Sequence, residues 1–161
     1  HAALDGIRKL VGEHGIRPEE VQGVVVGVPE AGWKIIGNPE AAKQSPVSVV
    51  DGQFSMAFCA AVTLRTGGLV WDDYARHLGD RETLALCKRI QTQVDPRAQA
   101  DFPAEMSATV RITTARGAFD TYFSNHATSQ FQSGEGPLAR KHNIGFRCAV
   151  SAGRGPRFRI T

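Results

Sequence analysis

The chain has 161 residues, of which 42% are hydrophobic, and a net charge of +3, enough to build the core of one ordinary domain. Its composition is neither low-complexity nor that of a disordered chain, no internal repeat is visible, and no apolar run approaches the ~20 residues of a membrane helix. Arg140, Lys141, Arg147, Arg154, Arg157 and Arg159 put +6 and no acid on residues 136–161, leaving −3 on residues 1–135; a basic balance made by one short tail is poor evidence for a nucleic-acid-binding fold.

From the N-terminus, Ala3, Leu4, Ile7, Leu10 and Val11 make a helical stripe over residues 1–14, with Gly15 as its stop. Pro18-Glu19-Glu20 is a turn. The β-branched run Val21–Val28 then reads as a strand buried on both faces and ended by Pro29. Residues 29–50, with Gly32, Trp33, Gly37, Asn38-Pro39 and Ser45-Pro46, read as a long irregular connection, which in a compact domain is usually functional or disordered.

Residues 51–66 are the centre of the pattern. Asp51 suits a helix start, Gly67 or Gly68 a helix stop, and Phe54, Met56, Ala57, Phe58, Cys59, Ala60, Ala61, Val62 and Leu64 leave almost no polar face between them. A helix apolar all round is a buried one. A short helix is expected over residues 71–78, with Asp72 and Asp73 at its start. Asp80 caps another, with Leu84, Ala85 and Cys87 inward.

Residues 90–94 alternate as a strand closed by Asp95-Pro96, and residues 97–105 read as loop. Ala108, Val110 and Ile112 alternate with Thr109, Arg111 and Thr113; Ala115-Arg116-Gly117 turns the chain, and Phe119, Thr121 and Phe123 return it as a hairpin. The expected class is α+β, with a small sheet of about four strands, packed helices, and one buried helix that needs a further helical surface. The expected division is residues 1–123 as this unit and residues 124–161 as an irregular basic tail.

Cys59, Cys87 and Cys148 are far apart and odd in number, which argues against a disulfide framework and a structural zinc site. Cys59 and Cys87 read as small core residues, and a reducing cytoplasm fits. No His/Cys/Asp/Glu group has metal-ligand spacing, and there is no nucleophile elbow, phosphate loop or dinucleotide fingerprint. His77, near a helix C-terminus where a cation is favoured, reads as structural.

Asp51-Gly52-Gln53-Phe54-Ser55 ahead of a small-residue helix, then Gly67-Gly68-Leu69 and Trp71-Asp72-Asp73-Tyr74, resembles the C-terminal half of the MmgE/PrpD family, which opens this helix with Ala-x-Phe-Ser. His1 and Asp5 stand at the positions of the family's His-x-x-x-Asp helix, and the resemblance covers residues 1–123. The family includes 2-methylcitrate dehydratases, cis-aconitate decarboxylases and iminodisuccinate epimerases. The resemblance implies a cofactor-free lyase or isomerase that takes a proton from carbon next to a carboxylate, acting on a small di- or tricarboxylate as a homodimer.

The sites it implies each have a plainer alternative. His1 is the candidate catalytic residue, or else a frayed terminal histidine. Trp33 falls where some relatives carry an active-site tyrosine; its indole can donate but not act as an acid, and it also reads as a loop aromatic. Lys34 and Lys43 could orient carboxylates or be solvated surface lysines. Gln53 and Ser55 could aim donors into a pocket or cap a helix.

The family's catalytic lysine precedes this stretch, so the chain is read as a fragment, inactive alone, whose buried helix docks on a missing helical half. A non-catalytic binding remnant with an exposed apolar helix is the rival. Residues 143–149 also resemble the closing strand of formylglycine-generating, sulfatase-modifying enzymes, which carries over no catalytic residue.

Overall fold

The computed structural model describes residues 1–126, with side chains to Ser124. Of the tail expected over residues 124–161, residues 127–161, with the stretch resembling formylglycine-generating enzymes, lie outside the described residues.

Helix α1 (Ala2–His14) ends at Gly15, whose φ of 58° is left-handed. A single 3₁₀ turn, Pro18–Glu20, leads into β1 (Val21–Val28). Six helices follow: α2 (Glu30–Ile36), α3 (Glu40–Lys43), α4 (Val49–Gln53), α5 (Met56–Thr66), α6 (Trp71–His77) and α7 (Arg81–Cys87). Then come β2 (Ile90–Val94), α8 (Pro96–Asp101) and the hairpin of β3 (Glu105–Thr114) and β4 (Gly117–His126).

The four strands form one sheet in the order β2-β1-β3-β4. β1 and β2 are parallel, because the six helices carry the chain back to the starting end of the sheet; the other pairs are antiparallel. The α+β class expected from the sequence is the one observed.

One face of the sheet carries the core. Val24, Val26, Ile90, Val110 and Ile112 point into it and are at most 1% exposed. Helix α1 lies over β3 and β4 with Ile7 and Leu10 inward, while α5 packs between α1, α7 and β2. The other face is half open. Val25 is half-buried there and Gln22 exposed, so β1 is not enclosed on both faces as its composition suggests.

Three further expectations change. Residues 29–50 are not irregular: Pro29, Pro39 and Ser48 each start a short helix, and the Gly37-Asn38-Pro39 and Ser45-Pro46 breaks keep each to seven residues or fewer. Residues 97–105 likewise begin inside α8, where Asp95 accepts the amides of Arg97 and Ala98. In α7 the inward residues are Thr83, Leu86 and Cys87, with Leu84 half-buried and Ala85 exposed.

The apolar helix starts later than residue 51. Ser48 caps α4 and bonds Asp51, whose carboxylate belongs to that cap. The chain breaks at Phe54, which is 49% exposed, and Ser55 caps α5 by accepting the Phe58 amide at 3.0 Å. Gly67, at φ 78°, ends it. From Met56 to Leu64 every residue is buried, and α1, α7, α4 and β2 of this same chain bury them. The exposed docking helix of the sequence reading is therefore absent. A residue such as Phe58, fully buried, contributes about 2–3 kcal/mol of apolar transfer to this arrangement.

Candidate functional site

Pro29 bends the chain off the end of β1, and α2 then lays Trp33 against the outer edge of β2. There the indole Nε1 donates to the Thr92 carbonyl at 3.0 Å. Two residues back along the same edge, the Ile90 carbonyl accepts from Gln44 Nε2 at 3.0 Å. Backbone groups on the outer side of an edge strand alternate in this way, and here side chains from the connection cover them. The half-buried Trp33 has its one polar hydrogen engaged.

Lys43 and Ser55 meet next to this edge. The Ser55 hydroxyl, 1% exposed, donates to the Lys43 carbonyl while accepting the Phe58 amide. Its hydrogen is thus held by the backbone. Gln53 is half-buried where α4 ends. The Lys43 charge reaches Asp51, whose carboxyl is held below the usual carboxylate range mainly by the Ser48 hydroxyl.

Lys34 is exposed and pairs with Glu30 at 2.8 Å one turn back, a solvent-screened surface pair. That bond and the Lys34 charge hold the Glu30 carboxyl below its ordinary range. Trp33, Lys34, Lys43, Gln53 and Ser55 therefore belong to one run of short helices flanking β2 and the start of α5. His1 is elsewhere in the chain's layout: exposed at the head of α1, the helix that lies over β3 and β4, with its carbonyl accepting the Asp5 amide at 3.0 Å.

Two polar arrangements escape the sequence reading. The first ties α5, α6 and α7 together. The buried Thr83 hydroxyl donates to Asp80 at 2.6 Å, accepts from Arg65 at 2.5 Å, and lies 3.0 Å from His77 Nδ1. With its hydrogen used on Asp80, that hydroxyl can only accept from the imidazole, so His77 carries its proton on Nδ1. Arg65 also pairs with Asp80 and Glu82. Burial first, and Arg65 next, hold the His77 pKa below its ordinary value, against the cation preference expected of a helix C-terminus. The His-x-x-Asp-x-x-Thr spacing over residues 77–83 is the signal that would have found it.

The second is a groove of about 630 Å³ on the open sheet face, lined by Gln93, Asp95, Arg97, Arg111, Asp120 and Tyr122 among others. Arg97 lies 3.5 Å from the Tyr122 ring centroid, and Arg111 Nε donates to Asp120 at 2.6 Å. On the same face Thr109 Oγ1 donates to Asp95 at 3.0 Å. Among the described residues, no group of three or more His, Cys, Asp or Glu could hold a metal ion, and no helix is long and apolar enough to cross a membrane.

Chemically, the flank of β2 offers cations and an aromatic wall, and its carboxylate Glu30 is tied to Lys34. Such a surface can orient an anion; it does not move a proton by itself. A family model described as the MmgE/PrpD C-terminal domain matches residues 1–135. No curated protein matches the chain at a significant level.

Proposed function

Since the chain belongs to the MmgE/PrpD family through that C-terminal domain, we propose that it is the lid part of a cofactor-independent lyase or isomerase acting on a small di- or tricarboxylate. The chemistry is removal of a proton from carbon next to a carboxylate, followed by loss of water, loss of CO2 or return of the proton to the other face. Negative charge then builds on a group that is already anionic, so fixed cations must face it. His1 is the proton-transferring group from this chain, Lys34 and Lys43 orient carboxylates, and Trp33, Gln53 and Ser55 shape the wall behind them.

The family match over residues 1–135 carries this reading. The β2 flank supports it, because Lys34 and Lys43 sit on helices anchored to a rigid sheet edge by Trp33 and Gln44. The remaining base and cations come from a helical half that precedes the lid in the family.

The test is turnover of 2-methylcitrate and cis-aconitate by this chain alone, and by the chain joined through residue 1 to the helical half of a 2-methylcitrate dehydratase. Turnover is expected in the joined protein only, with a loss of at least about a hundredfold for His1→Gln, as for removal of a general acid or base. Turnover by the chain alone, or a folded joined protein that is inert, would refute the proposal.

One observation favours a second reading, a non-catalytic interaction module. Val47, Val50, Phe54 and Trp71 are large apolar side chains, each at least 49% exposed, and they lie on or beside α4 and α6, which pack together. An inert joined protein would turn attention to that face.

A further inference from the structure

The start of α8 comes down onto the open face of the sheet, and the groove lies beside it. Gly27 permits this approach. A Cβ there would stand 2.6 Å from the Asp95 Cβ and closer still to Thr109 Oγ1, so only glycine leaves room for Asp95 over the strand. One Asp95 oxygen then accepts the Arg97 and Ala98 amides at 2.9 and 3.0 Å, and the other accepts the Thr109 hydroxyl at 3.0 Å. From this fixed root α8 sends the Arg97 side chain over β4, where its guanidinium carbon lies 3.5 Å from the Tyr122 ring centroid.

The second guanidinium of the groove belongs to Arg111. Thr109 stands opposite Tyr122 and Arg111 opposite Asp120, so the two cross-strand pairs are neighbours on one face, about 7 Å apart along the strands. Arg111 gives its Nε hydrogen to Asp120 at 2.6 Å. On β1, the half-buried Val25 lies opposite Arg111 and gives the groove an apolar floor.

The charged groups lining the groove are Asp95, Arg97, Arg111 and Asp120, and they are not equivalent. Asp95 has both oxygens committed to donors of the chain itself, and Asp120 offsets Arg111. Arg97 is held by a ring. Such a contact orders a guanidinium through its flat face and leaves the N–H edge and the charge to a ligand. Arg111 is pinned through Nε, and its terminal amino groups are donors as well. The groove thus presents two ordered forks, a fixed distance apart, with an aliphatic surface at their foot.

We propose that this groove binds a short dicarboxylate. One carboxylate sits on the Arg97 fork, the other on the terminal amino groups of Arg111, and the methylene chain lies over Val25. A single compact oxyanion engages one fork at a time, because Tyr122 and Asp120 hold the two apart. A ligand with two anionic ends engages both. Gln93, at the β2 side of the groove, adds an amide donor. The site shares no side chain with Lys34, Lys43 or the rest of the β2 flank, so it stands or falls independently of the function proposed above.

The test is a titration of the isotope-labelled full chain with glutarate, acetate and inorganic phosphate at constant ionic strength, followed through amide chemical shifts. Glutarate is expected to shift the amides of Val25, Arg97, Arg111 and Tyr122 saturably and to bind at least about tenfold tighter than acetate or phosphate. Arg97→Gln and Arg111→Gln, both at exposed positions, should each lower glutarate affinity to the level of acetate and leave the circular dichroism spectrum unchanged. Equal affinities for the three anions, full affinity in either variant, or no saturable shift at the groove would overturn the site. Shifts confined to the amides of Lys34 and Lys43 would overturn it too, and would place the carboxylate on the β2 flank instead.

Discussion

Trp33 donates its indole hydrogen to the carbonyl of Thr92 at 3.0 Å, across 59 positions of sequence. The residue that family resemblance marks for the substrate wall is thus also a fastener of the outermost strand. Both roles are compatible, because the ring faces are not used by the hydrogen bond.

Trp33→Phe keeps an aromatic ring and removes the donor, leaving a part-buried carbonyl to find water. A loss of about 1–2 kcal/mol is expected in urea unfolding. Gln44→Leu should cost about 1 kcal/mol for the same reason at Ile90. The pair of substitutions opens the whole β2 edge, so light scattering on heating should rise earlier in the double variant than in either single one. Equal scattering in all three would show that the edge is guarded by something else.

Ser55→Ala removes two bonds at once: the cap on the Phe58 amide and the donor to the Lys43 carbonyl. Both partners stay in place with little access to water. The expected cost is about 2–3 kcal/mol, larger than an exposed cap would give. Unfolding midpoints of Ser55→Ala and Ser55→Thr check it, the threonine retaining the hydroxyl. Should alanine cost no more than about 0.5 kcal/mol, the hydroxyl is not the anchor of α5.

The strands and α5 were legible because their signals are long: β-branched alternation in β1 and β3, a glycine at the hairpin, an unbroken apolar run ended by Gly67. What encloses α5 was not. An all-apolar helix says that it is buried but not against what, and α1, α7 and β2 turn out to suffice. Its start was misplaced because Ser48 and Ser55, seven positions apart, are both good caps and Asp51 suits either. Helices α2, α3 and α4 are shorter than the window in which a 3.6-residue period can be detected. As for the site, Trp33 and Ser55 could be singled out by type. The backbone carbonyls of Thr92 and Lys43 that engage them leave no mark in a sequence.

Cys87 is fully buried against the core, and that burial pushes its thiol up to about 12. The thiolate is the reactive form, so alkylation near pH 8 should bypass Cys87 in the folded chain. Mass spectrometry after iodoacetamide is expected to find it unmodified without urea and modified with it. Rapid native modification would mean that α7 opens far more often than its packing implies.

His77 makes the stability depend on pH in a stated direction. Its folded pKa is lowered by burial and by Arg65, with Arg76 adding to and Asp73 opposing that effect, and Asp80 lies 3.7 Å from Nδ1. In the unfolded chain the ring titrates near about 6.5. Between the two values the unfolded state binds more protons, so stability is full above about pH 6.5 and declines as pH falls toward the folded pKa. The lowered carboxyls of Glu20, Glu30 and Asp51 begin to act only at lower pH, below their ordinary values. Melting temperatures from pH 8 to pH 5 should therefore fall for the native chain and fall less for His77→Gln, which keeps a donor for Thr83. Nitrogen chemical shifts at pH 8 should report the proton on Nδ1. Parallel pH profiles in the two proteins, or a proton on Nε2, would mean that Thr83 is not held between Asp80, Arg65 and His77 in solution.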